Sequence, residues 1–441
     1  MKGPSSLLPK LLVATALGII PAASQTPSLE EIVARLDRLE RENAALRQEV
    51  QSLKSRLAPA EAVEERLAVQ EARNEEQAQT KVEASQRYPV RLTGMAVFNT
   101  YYNSRFNGAN DNPAIASLTV GNNRGGGTFR QSSVGLLFDG PQTIWNGKVG
   151  GSLYVDFAGG GNTPLNLNPR IRTGTISVDW ARRTFTVGQE KPVFSPRDPK
   201  SLAQIAISPL TGAGNLWLWV PQARYEERLK FNERTSLRAE IGLVQTTEGS
   251  AQVPANFANS VERFRPGIEG RFEFARDIGK ARIEIAPGFH RSSTHVAATS
   301  VPSDLISIDW LISPIPSLEW TGFFFDGQNV AKFGTGGIRQ GFNVAGLGRA
   351  TPIRSQGGWT QLRVTAAPRL DFHFMAGQHD DRDSDLTAGS IGRNQAFGAN
   401  FFYRLAPNVI VSFEAMQVRT RYLGSGNRLN NHYDLSVAYL F

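Results

Sequence analysis

Tyr433-Asp434-Leu435-Ser436-Val437-Ala438-Tyr439-Leu440-Phe441 alternates large apolar residues with polar or small ones. A period of two puts Tyr433, Leu435, Val437, Tyr439 and Phe441 on one face of a β-strand, with Asp434, Ser436 and Ala438 on the other. The pattern recurs upstream, where Val149, Leu153, Val155 and Phe157 stand against Ser152, Tyr154 and Asp156. It recurs again with Ile176, Val178 and Trp180 against Thr175, Ser177 and Asp179. From residue 90 to 441 the chain reads as a run of strands, each with one apolar and one polar face.

The connections between these strands fall into two classes. Tight turns are expected near Gly140, Arg182, Asn232, Ile278, Pro314, Pro368 and Pro407. Long segments rich in Gly, Asn and Pro occupy 104–127, 158–169, 191–220, 246–260, 291–303, 327–354, 380–392 and 420–428. Seven short turns and eight long loops, taken in alternation, join sixteen antiparallel strands. An even strand number with short connections on one rim and long ones on the other is the pattern of an all-β transmembrane barrel of the outer membrane. A soluble sandwich or propeller has no reason to sort its loops by length in this way. Trp180, Trp310, Trp320, Tyr403, Tyr433 and Tyr439 fall near strand ends, where interfacial aromatic girdles form.

Composition narrows the choice. The 441 residues are 40% hydrophobic and 20% charged, and only residues 11–20 form an extended apolar run. That run falls short of the roughly 20 residues a spanning helix needs. With basic Lys2 ahead of it and Pro21-Ala22-Ala23-Ser24 behind it, it reads as a secretory signal peptide over 1–24, a single membrane anchor being the alternative. Cysteine is absent, so disulfides, thiolate metal sites and lipidation at a cleavage-site Cys are excluded.

Between the signal and the barrel the period changes to seven. Leu29, Leu36, Asn43, Val50 and Leu57 share one seam position, and Ile32, Leu39, Leu46 and Leu53 the other. This is an α-helical coiled coil over 27–58, with Glu40, Arg41, Glu42 and Arg47 on its solvated sides and Asn43 as a polar seam residue that sets register. A lone amphipathic helix packed on its own barrel is the alternative. Pro59 interrupts the repeat, and 59–87, dominated by Glu, Gln, Ala and Arg, reads as a polar helical spacer or linker before the barrel at 88–441.

Net charge is +8, unevenly spread: from Tyr88 onward 36 Lys and Arg face 27 Asp and Glu. Nucleic acid is not an expected partner of an exported chain, so the excess points to anions. With the apolar face outward, Arg224, Arg228, Lys230, Arg238, Arg263, Arg265, Arg271 and Arg282 turn into the lumen, interleaved with Glu226, Glu240, Glu269 and Glu284. Against lipid an Arg or Lys costs about 2–4 kcal/mol at the midplane. A basic wall opposite Asp309 and Glu319 would set up a transverse field favouring anions.

The third long loop has Lys191, Arg197, Asp198 and Lys200 at its flank and Gly212, Gly214, Trp217 and Trp219 in its body. Folded inward, it would narrow the pore with a charged rim and an apolar floor suited to organic anions. An extracellular loop that never enters the pore is the alternative.

The chain resembles the trimeric outer-membrane porins over nearly its whole length. Phe441 and its alternating partners look like the C-terminal signature strand recognised by the barrel-assembly machinery of that class. The helix ahead of the barrel looks like that of the DcaP-like (dicarboxylate-type) and phosphate-selective O/P porins. Gly188-Gln189 and Pro221-Gln222-Ala223-Arg224-Tyr225 are similar to the segments bracketing the third loop in the DcaP-like group. The resemblance implies a homotrimer in the outer membrane of a Gram-negative-type bacterium, with its coiled coil in the periplasm. It implies a water-filled channel for passive diffusion of small hydrophilic solutes, preferring organic anions such as dicarboxylates. One departure is that residues 201–220 carry no charge, against the Lys and Arg clusters expected of phosphate-selective channels.

Other chemistry is weakly represented. Asp381-Arg382-Asp383-Ser384-Asp385 has the spacing of oxygen ligands but lacks the Gly and Glu of a calcium loop. His290, His295, His373, His379 and His432 show no metal-ligand spacing, and no GxSxG-type elbow marks a hydrolase. No metal, cofactor or catalytic residue is expected. A barrel hydrolase and a barrel that only anchors an envelope-tethering coiled coil are the rival readings.

Overall fold

The computed structural model describes residues 29–56 and 89–441, apart from 143, 161–166, 249–252, 254, 263, 297–298 and 346–348. The expected signal segment and the 59–87 spacer lie outside the described residues. Two units are distinguished, one holding the helix and one the sheet. Helix α1, Leu29–Arg56, is 28 residues long and built from Leu, Glu, Arg and Ala, all good helix formers. Leu36, Leu39 and Leu46 on its seam are 52–60% exposed. No helix among the described residues is long and apolar enough to cross a membrane.

The second unit is a closed antiparallel barrel of sixteen strands. They are β1 (Val90–Asn103), β2 (Ser133–Gln142), β3 (Lys148–Asp156), β4 (Arg170–Asp179), β5 (Arg183–Glu190), β6 (Val220–Asn232), β7 (Thr235–Thr247) and β8 (Phe264–Ile278). There follow β9 (Ala281–Val296), β10 (Thr299–Ile315), β11 (Leu318–Gln328), β12 (Arg354–Ala367), β13 (Leu370–Asp381), β14 (Ile391–Ala406), β15 (Val409–Tyr422) and β16 (Gly426–Leu440). A short strand, Arg124–Thr128, pairs with the far end of β1 ahead of β2. Each strand pairs with its neighbours in sequence, and β1 pairs with β16, Met95 opposite Leu440 through Asn103 opposite His432.

Seven tight turns join the strands on one rim, close to the expected positions, although Gly140 and Pro314 themselves lie in the strands that precede their turns. Pro368 and Pro407 each sit in a two-residue connection, where proline's fixed φ and missing N–H are tolerated. On the other rim two expected loops are not loops. Residues 291–296 and 299–303 continue β9 and β10, paired through Val296 opposite Thr299. In 420–428, β15 and β16 extend to Tyr422 opposite Gly426. Their polar tracts, Arg291-Ser292-Ser293-Thr294-His295 and Ser425-Gly426-Asn427-Arg428, give no alternation signal while the backbone ladder runs on, although Val296, Val301 and Tyr422 nearby are buried.

Facing follows the period of two. Ile241, Leu243, Ile268, Ile306, Leu435 and Val437 are 46–68% exposed on the outside, whereas Glu240, Glu269, Asp309 and Asp434 are at most 4% exposed on the inside. Ile241 lies at the middle of β7, so Ile241→Arg would set a charge against hydrocarbon. The expected cost is about 2–4 kcal/mol, read as a lower folding free energy in a urea titration of the barrel in lipid vesicles.

Candidate functional site

The third loop, residues 191–219 between β5 and β6, lies inside the barrel. Donors and acceptors on the inner faces of separate strands hold its backbone. Val193 N–H donates to Glu269 Oε2 at 2.7 Å, and Ser307 Oγ donates to the Phe194 carbonyl at 3.3 Å. Lys200 N–H donates to Gln361 Oε1 at 2.8 Å, and Asn400 Nδ2 donates to the Lys200 carbonyl at 3.1 Å. Asn99 Nδ2 reaches the Leu202 carbonyl at 2.7 Å and Asn394 Nδ2 the Gly212 carbonyl at 2.8 Å. A loop buried without such partners would leave peptide groups unpaired at a cost of about 1–3 kcal/mol each.

Its apolar body has a matching floor. Phe194, Leu210, Ala213 and Leu216 pack on Leu305, Phe323, Phe325, Trp359, Met375 and Val418. Those six side chains point inward, so over this patch the inner wall is apolar, against the polar lumen expected from alternation. Gly214 sits at φ +94°, and a Cβ there would come within 2.3 Å of the Gly358 carbonyl oxygen. Glycine is required for so close an approach of two backbones.

The expected pore-lining arginines among the described residues face inward, but most are neutralised. Arg271 is buried completely and donates to Asp309 at 2.7 and 2.9 Å, Glu240 at 3.1 Å and Glu273 at 2.6 Å. Arg197, reaching in from the loop, donates to Asp309 at 2.6 Å, to Glu273 at 3.2 Å and to Glu284. Arg238 joins through Glu273 at 3.2 Å, Arg282 through Glu284 at 2.6 Å, and Arg224 lies 3.2 Å from Glu190 and 3.7 Å from Glu240. Five arginines (Arg197, Arg224, Arg238, Arg271, Arg282) thus meet seven carboxylates (Glu190, Glu226, Glu240, Glu273, Asp277, Glu284, Asp309). Arg228 pairs with Glu226 at 2.7 Å and Arg265 with Glu262 at 3.0 Å. Lys230 is exposed, with no ion pair among the described residues, and Arg263 lies outside them.

The transverse field is therefore not laid out as expected. Asp309 is the immediate partner of Arg271 and Arg197, not a charge across the lumen. Glu319 is held by Lys200 at 2.9 Å and Arg363 at 3.2 Å. Lys191 pairs with Asp198 within the loop. Trp217 is buried and meets Trp219 edge-on, 5.1 Å between centroids, while Trp219 contacts Arg170 and Arg172 of β4.

Two groups were not foreseen. Ser292 Oγ, His290 and Glu269 line up at 2.8 and 3.0 Å, the spacing of a hydrolase triad, although no motif marks them. Here Ser292 Oγ also accepts from Lys332 Nζ at 3.0 Å, Lys332 contacts Glu248, and Glu269 also accepts from Val193 N–H. His290 and Glu269 are at most 2% exposed. The chain of bonds ties three loops to β8 and β9, and burial pushes the Lys332 ammonium below its ordinary pKa. In the acidic segment, Arg421 donates to Asp383 at 2.6 and 3.0 Å and holds its carboxyl below the usual range. Asp381 accepts from His379 and Gln340. No cluster of potential metal ligands occurs among the described residues.

Removing one member of a buried ion cluster leaves charge uncompensated, typically at about 3–5 kcal/mol. Arg271→Met removes the buried partner that Asp309, Glu240 and Glu273 share, leaving them only Arg197, Arg224 and Arg238, so a loss of that order is expected, read as a lower midpoint temperature for the folded-to-unfolded mobility shift in detergent.

No family model and no curated protein sequence matches the chain. Solved structures do match it. The outer membrane channel DcaP of Acinetobacter baumannii superposes with a TM-score of 0.65 at 17% identity, over 80% of this chain and 97% of that one. The anion-selective porin from Comamonas acidovorans gives 0.51 at 12% identity, over 80% and 99%. OprB of Pseudomonas putida gives 0.51 at 9% identity, over 83% and 97%. The chain has the sixteen-stranded fold of the outer-membrane porins.

Proposed function

We propose that this barrel is an outer-membrane channel through which small hydrophilic solutes diffuse passively, organic anions such as dicarboxylates in preference. The observation that carries the reading is the third loop, bound to the inner wall by its own backbone and facing arginine-bearing strands. A barrel that served only as an anchor has no need of a loop fixed in its lumen. The excess of 36 basic over 27 acidic residues from Tyr88 onward supports the anion preference. The likeness to a fold shared by a channel and an anion-selective porin agrees with it. In this reading Arg224, Arg228, Lys230 and Arg238 line the passage, and Lys191, Arg197, Lys200, Trp217 and Trp219 form or support the constriction.

The same reading makes the chain an exported homotrimer, joined through barrel and coiled coil. The half-exposed seam leucines of α1 support the second contact, because an apolar stripe of that spacing gains stability by covering itself with a copy. Phe441 is the handle for the assembly machinery. Replacing Asn43 by Val is expected to raise the melting temperature of the coiled coil in the full chain while loosening its choice of oligomer number. Circular dichroism at the helical band and the mass distribution of the detergent-solubilised protein read the two effects.

Reversal potential in a planar bilayer under a KCl gradient tests the channel. Stable steps with a potential of the sign for chloride preference are expected. Silent insertion would point to an anchor.

A further inference from the structure

Strands β3 and β4 do not pair evenly. Tyr154 stands opposite Thr173 but Val155 stands opposite Ile171, which leaves Arg172 as the extra residue of a β-bulge. A bulge re-aims the side chains beside it. Arg170 and Arg172, two apart and so on one face, are turned by it toward the third loop, their guanidinium carbons 5.1 and 5.2 Å from the centroid of the Trp219 ring. Both also reach Asp156, Arg170 at 2.7 Å and Arg172 at 3.8 Å. Two cations share one carboxylate, so arginines outnumber carboxylates at this corner, whereas around Arg271 the carboxylates outnumber the arginines.

The two arginines are not equivalent. Arg170 donates to both carboxylate oxygens of Asp156 and to the Ala206 carbonyl of the third loop at 3.1 Å, so it is committed to holding the loop against the wall. Arg172 makes no side-chain hydrogen bond among the described residues, and its side chain is 30% exposed. Its position is nonetheless fixed by the bulge behind it and by Trp219 beside it. Trp219 is braced in turn by the Trp217 ring, and the backbone N–H of Trp217 donates to the Phe333 carbonyl at 2.9 Å. A planar fork of unused donors, held in place beside an apolar surface, matches a carboxylate fork to fork and gives its organic body a ring to lie against.

We propose that Arg172, aimed by the bulge and steadied by Trp219, is the residue that binds the carboxylate of an organic anion passing this channel. The proposal rests on the anion-channel reading and adds to it the residue that discriminates an organic carboxylate from chloride. Arg170 and Trp219 act as positioning residues.

The test is block of the chloride current by benzoate, measured on the full-length protein in planar bilayers. Arg172→Gln is expected to raise the half-blocking concentration about tenfold, the loss of about 1.4 kcal/mol. Arg172→Lys, which keeps the charge but not the fork, is expected to fall in between, and Trp219→Leu to weaken block with Arg172 intact. Inorganic phosphate serves as the second probe and should be less affected, since the ring adds nothing to it. Equal block of wild type and Arg172→Gln, in a channel that remains anion-preferring, overturns the proposal and leaves the channel reading standing. A wild-type channel with neither anion preference nor benzoate block overturns both. Should Arg172→Gln fail to show the folded mobility in detergent, Arg172→Lys decides, because it retains the ion pair with Asp156.

Discussion

At the seam of the barrel, Gly94 N–H donates to the Phe441 carbonyl at 2.8 Å and Phe441 N–H donates back to Gly94 at 3.1 Å, continuing the register of β1 and β16. These bonds close the sheet, and closure is the condition for everything else in the molecule. In a hydrocarbon environment an unpaired peptide group costs several kcal/mol, and an open sheet would offer a row of them. Gly94 is part of the fit: a Cβ there would meet the Ser133 carbonyl and the Phe441 ring. Once the ring of strands is closed, the period of two decides which residues meet lipid and which meet the lumen.

Closure also creates the problem that the interior solves. The inner wall carries arginines and carboxylates taken out of bulk water, and each pays a desolvation cost that its partners must offset. Around Arg271 this is done by setting five arginines among seven carboxylates. The second solution is the apolar patch on β10 to β15, which is covered by the third loop instead of by solvent. Both make the interior rigid, and Arg197 belongs to both, since it is carried by the loop and bonded to the cluster.

The alternation, the turn residues and the two classes of connection were enough to read sixteen strands, because each is a local signal tied to backbone geometry. The rims were less legible. Arg291, Ser292, Ser293, Thr294 and His295 are in β9, yet outside the apolar zone a strand needs no apolar face, so nothing in their composition separates them from a loop. The site was legible as a list of inward residues and not as a set of pairs. Glu240 stands directly opposite Arg271, and Gly288 opposite the same arginine from the other side, only in one register of β7, β8 and β9. The Phe323-Phe324-Phe325 run shows the limit of the polar-inside rule, with its outer two rings buried under the loop and the middle one exposed. Arg172 was missed because a single unpaired residue in a ladder leaves no mark on composition or period.

Neutralisation of the central cluster changes where selectivity can reside. An arginine whose donors are all engaged by carboxylates presents little field to a passing ion, however far it projects into the lumen. The excess of positive charge in the barrel must then act through residues outside that cluster. Arg172 with its half share of Asp156, and Lys230 with no partner among the described residues, are such positions. Preference for anions in a lumen of this kind depends less on how many arginines line it than on which of them the fold leaves uncommitted. In the proposed reading, one bulge in β4 and the side chain of Trp219 leave Arg172 placed in that way.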